Sequence, residues 1–324
     1  MAITTRLTER LGIQHPIIQA PMAFAAGGRL AAAVSRAGGL GMIGGGYGDG
    51  AWLGEQFRAA GNARIGCGFI TWSLARQPAL LEQALAHAPR AVFLSFGDPA
   101  PYMAQMRAAG TLVILQVQTW RDAQAALDLG ADVVVAQGAE AGGHGEKRGT
   151  ITLVPELADL IAARAPATLL CAAGGIADGR GLAAALMLGA DGAVVGSRFW
   201  ASEEALVHAN QHAAGLAATG DDTIRQSVTD AARGYDWPAR FNIRVVRNAF
   251  IDRWLGRERE LRASEGERAA YAGAVAAGDA ATAAAICGEA AGLIHSIEPA
   301  GDIIERMVSE AEALLARGGR WAVR

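Results

Sequence analysis

Eight short apolar runs in the N-terminal part of the chain constrain its fold more than any other feature. Most are followed by a Gly, Asp or Ser and then by an Ala- and Leu-rich amphipathic stretch. The runs cover residues 17–20, 40–44, 65–70, 91–95, 112–116, 132–136, 168–172 and 192–196. Apolar runs of this length without polar alternation are typical of parallel strands buried on both faces. Eight strand–helix units in sequence predict an α/β fold, the closed (β/α)8 or TIM barrel.

The chain changes character after Phe199, where Ala, Glu and Arg at helical spacing replace the apolar runs. The spacing predicts helices over residues 223–232, 244–255, 265–275, 280–286 and 303–316. We therefore expect a cofactor-binding barrel over 1–222 and a helical subdomain near its mouth over 223–290. Residues 291–324 are expected to form a C-terminal helix that packs back on the barrel.

Composition excludes several classes of protein. The 324 residues carry 29 basic and 32 acidic side chains, and aromatic residues make up 6%. Neither nucleic acid nor an anionic membrane is an expected partner of such a chain. The three cysteines, Cys67, Cys171 and Cys287, lack the spacing of a metal site or a disulfide framework, so buried thiols are expected. With no secretory signal and no long apolar span, the expected location is the cytoplasm.

The motif Gly39-Leu40-Gly41-Met42-Ile43-Gly44 matches the dinucleotide-binding pattern GxGxxG. That pattern requires glycines between a strand and a helix, with an acidic residue about 20 positions later. Here the glycines lie within the apolar run, and residues 56–81 contain no acidic residue before Glu82. We interpret them instead as small residues of a barrel strand that approach a bound ring closely.

Two glycine motifs follow the seventh and eighth predicted strands. The first is Ala172-Ala173-Gly174-Gly175-Ile176-Ala177-Asp178-Gly179-Arg180, and the second is Val195-Gly196-Ser197-Arg198. Barrels that bind phosphate use this pair of loops, because glycine lets the backbone N–H groups approach the phosphate oxygens. The alternative is two tight turns that need glycine for conformation only. Their position favours a phosphate site.

A third motif, Gln137-Gly138-Ala139-Glu140-Ala141-Gly142-Gly143-His144-Gly145, follows the sixth predicted strand. It should lie at the catalytic face of the barrel. A histidine between glycines in such a loop is poorly explained by core packing. His144 is therefore the candidate general base or anion-binding residue. The other five histidines receive no role.

Gln19-Ala20-Pro21-Met22 ends the first strand, where Pro21 fixes the departing chain so that backbone groups can face a planar ligand.

Together these motifs resemble the nitronate monooxygenases, formerly called 2-nitropropane dioxygenases, which are FMN-dependent TIM barrels. The segments IIQAPM, AQGAEAGGHG, AAGGIADGRG and VVGSRF occur in the family's order, and GEAAGLI follows near the C-terminus. The resemblance implies oxidation of alkyl nitronates, and of nitroalkanes as further substrates, by O2 to carbonyl compounds and nitrite. It implies His144 as the catalytic residue and no metal. The protein is expected to be a monomer or a homodimer.

The resemblance also implies which residues contact FMN. Ala20, Pro21 and Met22 would line the flavin ring, Gln116 and Gln137 would reach the ring or its ribityl chain, and glycine motifs would hold the phosphate. The full expected set is Ala20, Pro21, Met22, Gly68, Gln116, Gln137, Gly142, Gly143, Ala173, Gly174, Gly175, Gly196 and Ser197.

Two departures from the family pattern concern the substrate. Gly68 stands where many members carry Asn, and Tyr235-Asp236-Trp237-Pro238 differs from better-known members. Two alternatives therefore stay open: an NAD(P)H-dependent reductase of quinones or enoyl thioesters on the same scaffold, and a flavin- or phosphate-binding protein without turnover.

Overall fold

A closed parallel barrel forms the centre of the molecule. The structure is a computed structural model, and it describes residues 3–318. Its strands are β1 Ile17–Gln19, β2 Met42–Gly44, β3 Gly66–Ile70, β4 Ala91–Ser95, β5 Leu112–Val117, β6 Val133–Gln137, β7 Gly143–Gly145, β8 Leu169–Ala173, β9 Gly192–Val195, β10 Thr223–Gln226 and β11 Asn242–Val246. Eight of them pair in the order β1-β9-β8-β6-β5-β4-β3-β2. A parallel bridge between Ile18 and Leu40 closes β1 on β2. The predicted TIM barrel and its eight strands are confirmed.

Sixteen α-helices surround or extend this barrel within the described range. They are α1 Arg6–Leu11, α2 Gly28–Arg36, α3 Gly50–Ala60, α4 Thr71–Leu74, α5 Ala79–Leu85, α6 Met103–Ala108, α7 Trp120–Asp128, α8 Thr150–Arg164, α9 Gly179–Met187, α10 Ser197–Trp200, α11 Ala209–Ala217, α12 Val228–Arg233, α13 Ala249–Trp254, α14 Glu258–Ala263, α15 Glu265–Ala277 and α16 Ala300–Gly318. Short 3-10 helices cover Ala100–Tyr102, Gly220–Asp222 and Glu289–Leu293.

Apolar side chains fill both faces of the barrel wall. Ile18, Phe93 and Ile114 belong to the cluster inside the barrel, and Leu7 and Leu11 of α1 join it. A Cβ added to Gly192, at the start of β9, would meet the Leu7 side chain at 2.4 Å, so α1 covers the amino-terminal end of the strands. The barrel is thus closed at one end, and a site can open only at the other.

The region after β9 is only partly helical, which corrects the sequence interpretation. Residues 223–232 and 244–255 each begin as strand before a helix, and 280–286 form no helix. Strands β10 and β11 pair antiparallel, and β11 also pairs with β7, which carries His144. The residues of β11 alternate between partly and fully buried, so one face of this strand is buried and the other is partly exposed. Helices are present as expected over 265–275 and 303–316.

The last helix lies against the outside of the barrel. Ile303, Ile304 and Met307 of α16 join the cluster between the barrel strands and their helices. A Cβ on Gly179 of α9 would lie 2.5 Å from the Ala311 backbone, so the two helices approach closely. Residues 319–324, which belong to the expected C-terminal segment, lie outside the described range.

A second cluster, which contains Phe250, Trp254 and Tyr271, is formed by α12–α15.

The glycines of the GxGxxG motif pack closely against neighbouring backbone and are not among the residues that line the cavity at the barrel mouth. A Cβ on Gly41 would lie 1.8 Å from the Ala31 carbonyl oxygen of α2, and one on Gly44 would lie 2.3 Å from the Met22 carbonyl oxygen. These glycines sit in and beside a barrel strand and permit α2 and the β1 loop to approach it. The three cysteines are buried free thiols, as predicted.

Candidate active site

A cavity of about 400 Å³ opens at the carboxyl ends of the barrel strands. Its lining includes every site residue predicted from the sequence: Ala20, Pro21, Met22, Gly68, Gln116, Gln137, Gly142, Gly143, His144, Ala173, Gly174, Gly175, Gly196 and Ser197. A volume of this size suits a cofactor or small ligand. Residues from the β10–α12 region and from 283–290 complete the wall.

The two glycine turns form one end of this cavity, called here the glycine end. Gly174 and Gly175 have φ values of 104° and 74°, a conformation that suits glycine. The backbone N–H groups of Gly175 and Ile176 donate to no acceptor among residues 3–318. The Ser197 hydroxyl accepts a 2.9 Å hydrogen bond from the Gly288 N–H, and its own proton can be donated to the neighbouring Cys287 sulfur or to a ligand. The glycine end therefore presents hydrogen-bond donors, as an anionic group requires.

Gly68 explains one departure from the family pattern. A Cβ at this position would lie 2.4 Å from Cβ and Cγ of Pro21. The ring of Pro21 thus occupies the space that a side chain on β3 would need. An asparagine at this position would require Pro21 and the β1 loop to move.

Three glutamines support the floor of the cavity. The Gln137 side-chain oxygen accepts from Gln116 at 3.0 Å and from Gln118 at 2.7 Å. The Gln137 amide nitrogen donates to the His144 carbonyl oxygen at 3.1 Å. Gln137 is therefore largely occupied in holding the backbone of β7, and the amide oxygen of Gln116 is the freer group for a ligand.

His144 pairs with a carboxylate that the sequence interpretation missed. Its Nε2 lies 3.0 Å from both carboxylate oxygens of Asp230, which belongs to α12. Both side chains are buried. Since an ionised carboxylate only accepts hydrogen bonds, Nε2 carries a proton that it donates to Asp230. In the neutral ring, the unprotonated nitrogen is then Nδ1, which makes no hydrogen bond within residues 3–318.

The surroundings favour the neutral form of this ring. Burial lowers the pKa of His144 below its ordinary value of 6.5, although the hydrogen bond and charge of Asp230 oppose that effect. The positive charges of Arg233 and Arg225 add to the lowering. At neutral pH the His144 ring is therefore uncharged and has a fixed tautomer. This weakens the expectation that protonated His144 binds an anion.

Aromatic side chains enclose His144. The Trp237 ring stacks on the imidazole with centroids 3.4 Å apart and planes 8° from parallel. Phe96 lies edge-on to both rings, and Phe241 packs against Phe96. Tyr47 stacks on Tyr235 with centroids 4.0 Å apart, and its hydroxyl accepts from Trp237 Nε1 at 3.3 Å. These rings exclude water from the histidine, and we call this the aromatic end of the cavity.

Two arginines fix the loop between β6 and β7. Arg225 and Arg244 are directly opposite on β10 and β11. Arg225 donates to the carbonyl oxygens of Ala139 and Ala141, and Arg244 donates to that of Ala139. Burial and the neighbouring Arg244 charge lower the pKa of Arg225 to about 10. Glu140 caps α8 through the N–H and hydroxyl of Thr150. The loop before His144 is therefore rigidly held.

Several residues of the site carried no signal in the sequence. Asp230 and Arg233 lie about ninety positions beyond His144 in an ordinary amphipathic segment, and neither stands in a motif. His208, to which no role was given, also lines the cavity, where its Nδ1 accepts from the Asn210 N–H. Of the large apolar residues in the subdomain expected near the mouth, Trp237 lines the cavity and Phe241 packs behind it. Phe250 and Trp254 belong instead to the α12–α15 cluster.

Residues 3–318 provide neither a cluster of metal-binding side chains nor a helix that could span a membrane. Residues 3–318 contain no group of three or more His, Cys, Asp or Glu side chains arranged to hold a metal ion. Over the same range, no helix combines the length and apolarity needed to cross a bilayer.

Comparison with known proteins identifies relatives along most of the chain. A sequence model of the family described as nitronate monooxygenase matches residues 4–63 and 73–310. A nitronate monooxygenase from Neurospora crassa is 32% identical over 91% of this chain and 89% of its own length. A (3aS,4S,5R,7aS)-5-hydroxy-7a-methyl-1-oxo-octahydro-1H-indene-4-carboxyl-CoA dehydrogenase from Rhodococcus jostii is 33% identical over 63% of this chain and 57% of its own length.

Solved structures share the architecture. FabK from Thermotoga maritima superposes with a TM-score of 0.83, at 31% identity, over 98% of this chain and 99% of that one. A nitroalkane oxidase from Streptomyces ansochromogenes gives a TM-score of 0.78 at 26% identity, over 96% of this chain and 99% of that one. Both likenesses include the barrel and the region that follows it.

Proposed function

Since the chain belongs to the nitronate monooxygenase family of oxidoreductases, we propose that it oxidises alkyl nitronates with O2, giving a carbonyl compound and nitrite. One observation carries the proposal. A buried histidine of fixed tautomer and a glycine end rich in donors line the same cavity. The first suits proton transfer, and the second suits an anionic cofactor group. Nitroalkanes are proposed as further, slower substrates.

We propose FMN as the cofactor, because the glycine end fits one phosphate group. The N–H groups of Gly175 and Ile176 and the hydroxyl of Ser197 would hold it. Ala20, Pro21, Met22 and Gly68 form an apolar wall of the cavity, against which a flat ring can lie. When bound, the flavin supplies two-electron oxidation of the substrate and reaction with oxygen.

His144 would act as a general base toward a neutral nitroalkane. Its Nδ1 takes the proton from the carbon beside the nitro group, while Nε2–H stays on Asp230. The carboxylate then stabilises the imidazolium that forms. A nitronate has already lost this proton, so toward that substrate His144 only positions and desolvates.

The deciding experiment is anaerobic bleaching of the visible flavin spectrum. We purify the protein, release its cofactor by heat and identify it by chromatography. We then add propane-2-nitronate or NADH without oxygen. Rapid bleaching by the nitronate, followed by nitrite formation when air is admitted, supports the proposal. Bleaching by NADH alone contradicts it, as does release of FAD in place of FMN.

A second candidate is NAD(P)H-dependent reduction of an enoyl thioester or a quinone. The observation that favours it is the mouth of the cavity, where the exposed apolar side chains of Phe24, Leu206 and Val275 line the opening. Such a rim suits an acyl chain or an apolar ring. A relative whose name specifies a carboxyl-CoA substrate points in the same direction. Under this candidate NADH bleaches the flavin, and a thioester or a quinone restores its colour.

A further inference from the structure

Arg233 is a cation within the cavity that has no partner in the fold. It ends α12, is half-buried and lines the cavity. It makes neither an ion pair nor a hydrogen bond with any other described residue. Asp230, one turn earlier, places both carboxylate oxygens on His144 instead. A half-buried guanidinium without a partner is costly to keep, which suggests that a ligand supplies the partner.

Arg233 also lies close to the aromatic end. Burial raises the pKa values of Tyr47 and Tyr235, and the Arg233 charge opposes this at both. The same charge acts on His144. Arg233 is the one arginine or lysine in the cavity lining as described. Its positive charge therefore acts on the proposed reacting group, as that of Arg225 also does, but of these two arginines only Arg233 lines the cavity.

The charges around His144 require such a cation. Asp230 is a buried negative charge that repels an anion in the cavity, and His144 is held in its neutral form and does not attract one. Arg233 offsets this repulsion. A nitronate places two oxygens on one planar nitrogen, as a carboxylate does on carbon. The planar fork of a guanidinium matches that arrangement with two parallel hydrogen bonds.

We propose that Arg233 binds the oxyanion of the substrate and thereby sets the preference of this site for a nitronate over its neutral nitroalkane. This inference rests on the proposed function. It also assigns the anion-binding role to Arg233 in place of a protonated His144. With a nitroalkane, the same guanidinium faces the charge that develops on the nitro oxygens as the proton leaves.

The test uses isobutyrate, which has the charge, the heavy-atom connectivity and the planar two-oxygen group of propane-2-nitronate but does not react. Its affinity for the flavin-loaded protein is measured by calorimetry, beside that of neutral isobutyramide. Arg233→Met should weaken isobutyrate about ten- to a hundredfold and leave isobutyramide unchanged, since charged hydrogen bonds are lost. Arg233→Lys should recover part of the affinity. The control is Arg164→Met, which removes an arginine paired with Asp128 on the outside of the barrel.

Kinetics provide the second readout. Arg233→Met should raise KM for propane-2-nitronate by a similar factor, with a smaller change in kcat. Equal isobutyrate affinity in wild type and Arg233→Met overturns the inference, as does absence of isobutyrate binding to the wild type. Equal loss of acid and amide also overturns it, because that reports a damaged cavity. If the protein does not oxidise nitronates but binds isobutyrate through Arg233, the proposed function fails and this inference stands.

Discussion

The two ends of the cavity are built by different means. The glycine end uses backbone groups of turns that directly follow β8 and β9, so each motif is continuous in sequence. The aromatic end combines side chains from β7, α12 and the loop after it, which the sheet β10-β11-β7 brings together, with Phe96 and Tyr47 from the loops after β4 and β2. The backbone donors of the glycine end are therefore determined by short, continuous stretches of sequence. The chemistry beside it depends on contacts between distant segments.

The largest expected effect follows from removing the His144 side chain at the aromatic end. His144→Ala should lower kcat/KM for a neutral nitroalkane by about 10²–10⁴-fold, because the general base is lost. The loss with the pre-formed nitronate should be much smaller. The content of the proposed FMN should not change, since its proposed phosphate site lies at the other end.

Steady-state kinetics and the ratio of flavin to protein absorbance check this prediction. His87→Ala is the control, because that ring stacks on Phe57 away from the cavity. Small and equal losses with both substrates would show that His144 is not the base. Loss of FMN would place it in the cofactor site.

Asp230→Asn tests whether the distant carboxylate orients the histidine. We expect a loss on the order of 10²-fold toward the neutral nitroalkane, because an amide no longer fixes the tautomer with Nδ1 unprotonated. Activity requires the unprotonated ring, so it falls as pH drops through the pKa of His144. That pKa is already below 6.5, owing to burial. Without the opposing carboxylate charge, the acid limb of kcat/KM should move to still lower pH.

The pH profile distinguishes positioning from general damage. Asp236→Asn, an exposed carboxylate of the following loop that pairs with Arg262, is the matched control. An unshifted acid limb in Asp230→Asn would contradict the coupling of the two side chains.

The smallest effect is expected at the glycine end. Ser197→Ala should weaken FMN about two- to tenfold, the value of one hydrogen bond, because backbone donors remain. Titration of apoprotein with FMN measures this. Ser227→Ala serves as control, since that side chain does not cap its helix. Unchanged FMN affinity together with slower turnover would reverse the assignment of the two ends.

Prediction from sequence succeeded where structure is local. The eight barrel strands could be predicted because each is a buried apolar run, and every residue of the predicted site lines one cavity. It failed at 280–286, an Ala-rich segment without a helix. There the carbonyl oxygens of Ala280, Thr282 and Ala283 accept from Asn248 and Gln211 side chains. Tertiary contacts override intrinsic helix preference at such a place.

Asp230 and Arg233 were missed for a related reason. Nothing in the composition or spacing around them distinguishes the two from solvated helix residues, and His144, the partner of Asp230, lies across a sheet that the helical interpretation omitted. The alternation in Asn242–Val246 was the available signal, because it indicates a strand with one buried face. A recognised strand there would have raised the question of what pairs with it.

The pairing of β7 with β11 has a consequence for engineering this scaffold. In many barrels, a segment above the mouth can be exchanged between homologues to alter specificity, because the strands beneath it are independent. Here His144, the residue proposed for catalysis, lies on β7. That strand is the edge strand of the sheet that contains the segment to be exchanged. A chimera with a junction between residues 146 and 222 would divide that sheet between two parents. Productive crossovers should instead transfer 138–149 and 223–246 together, as one inherited unit.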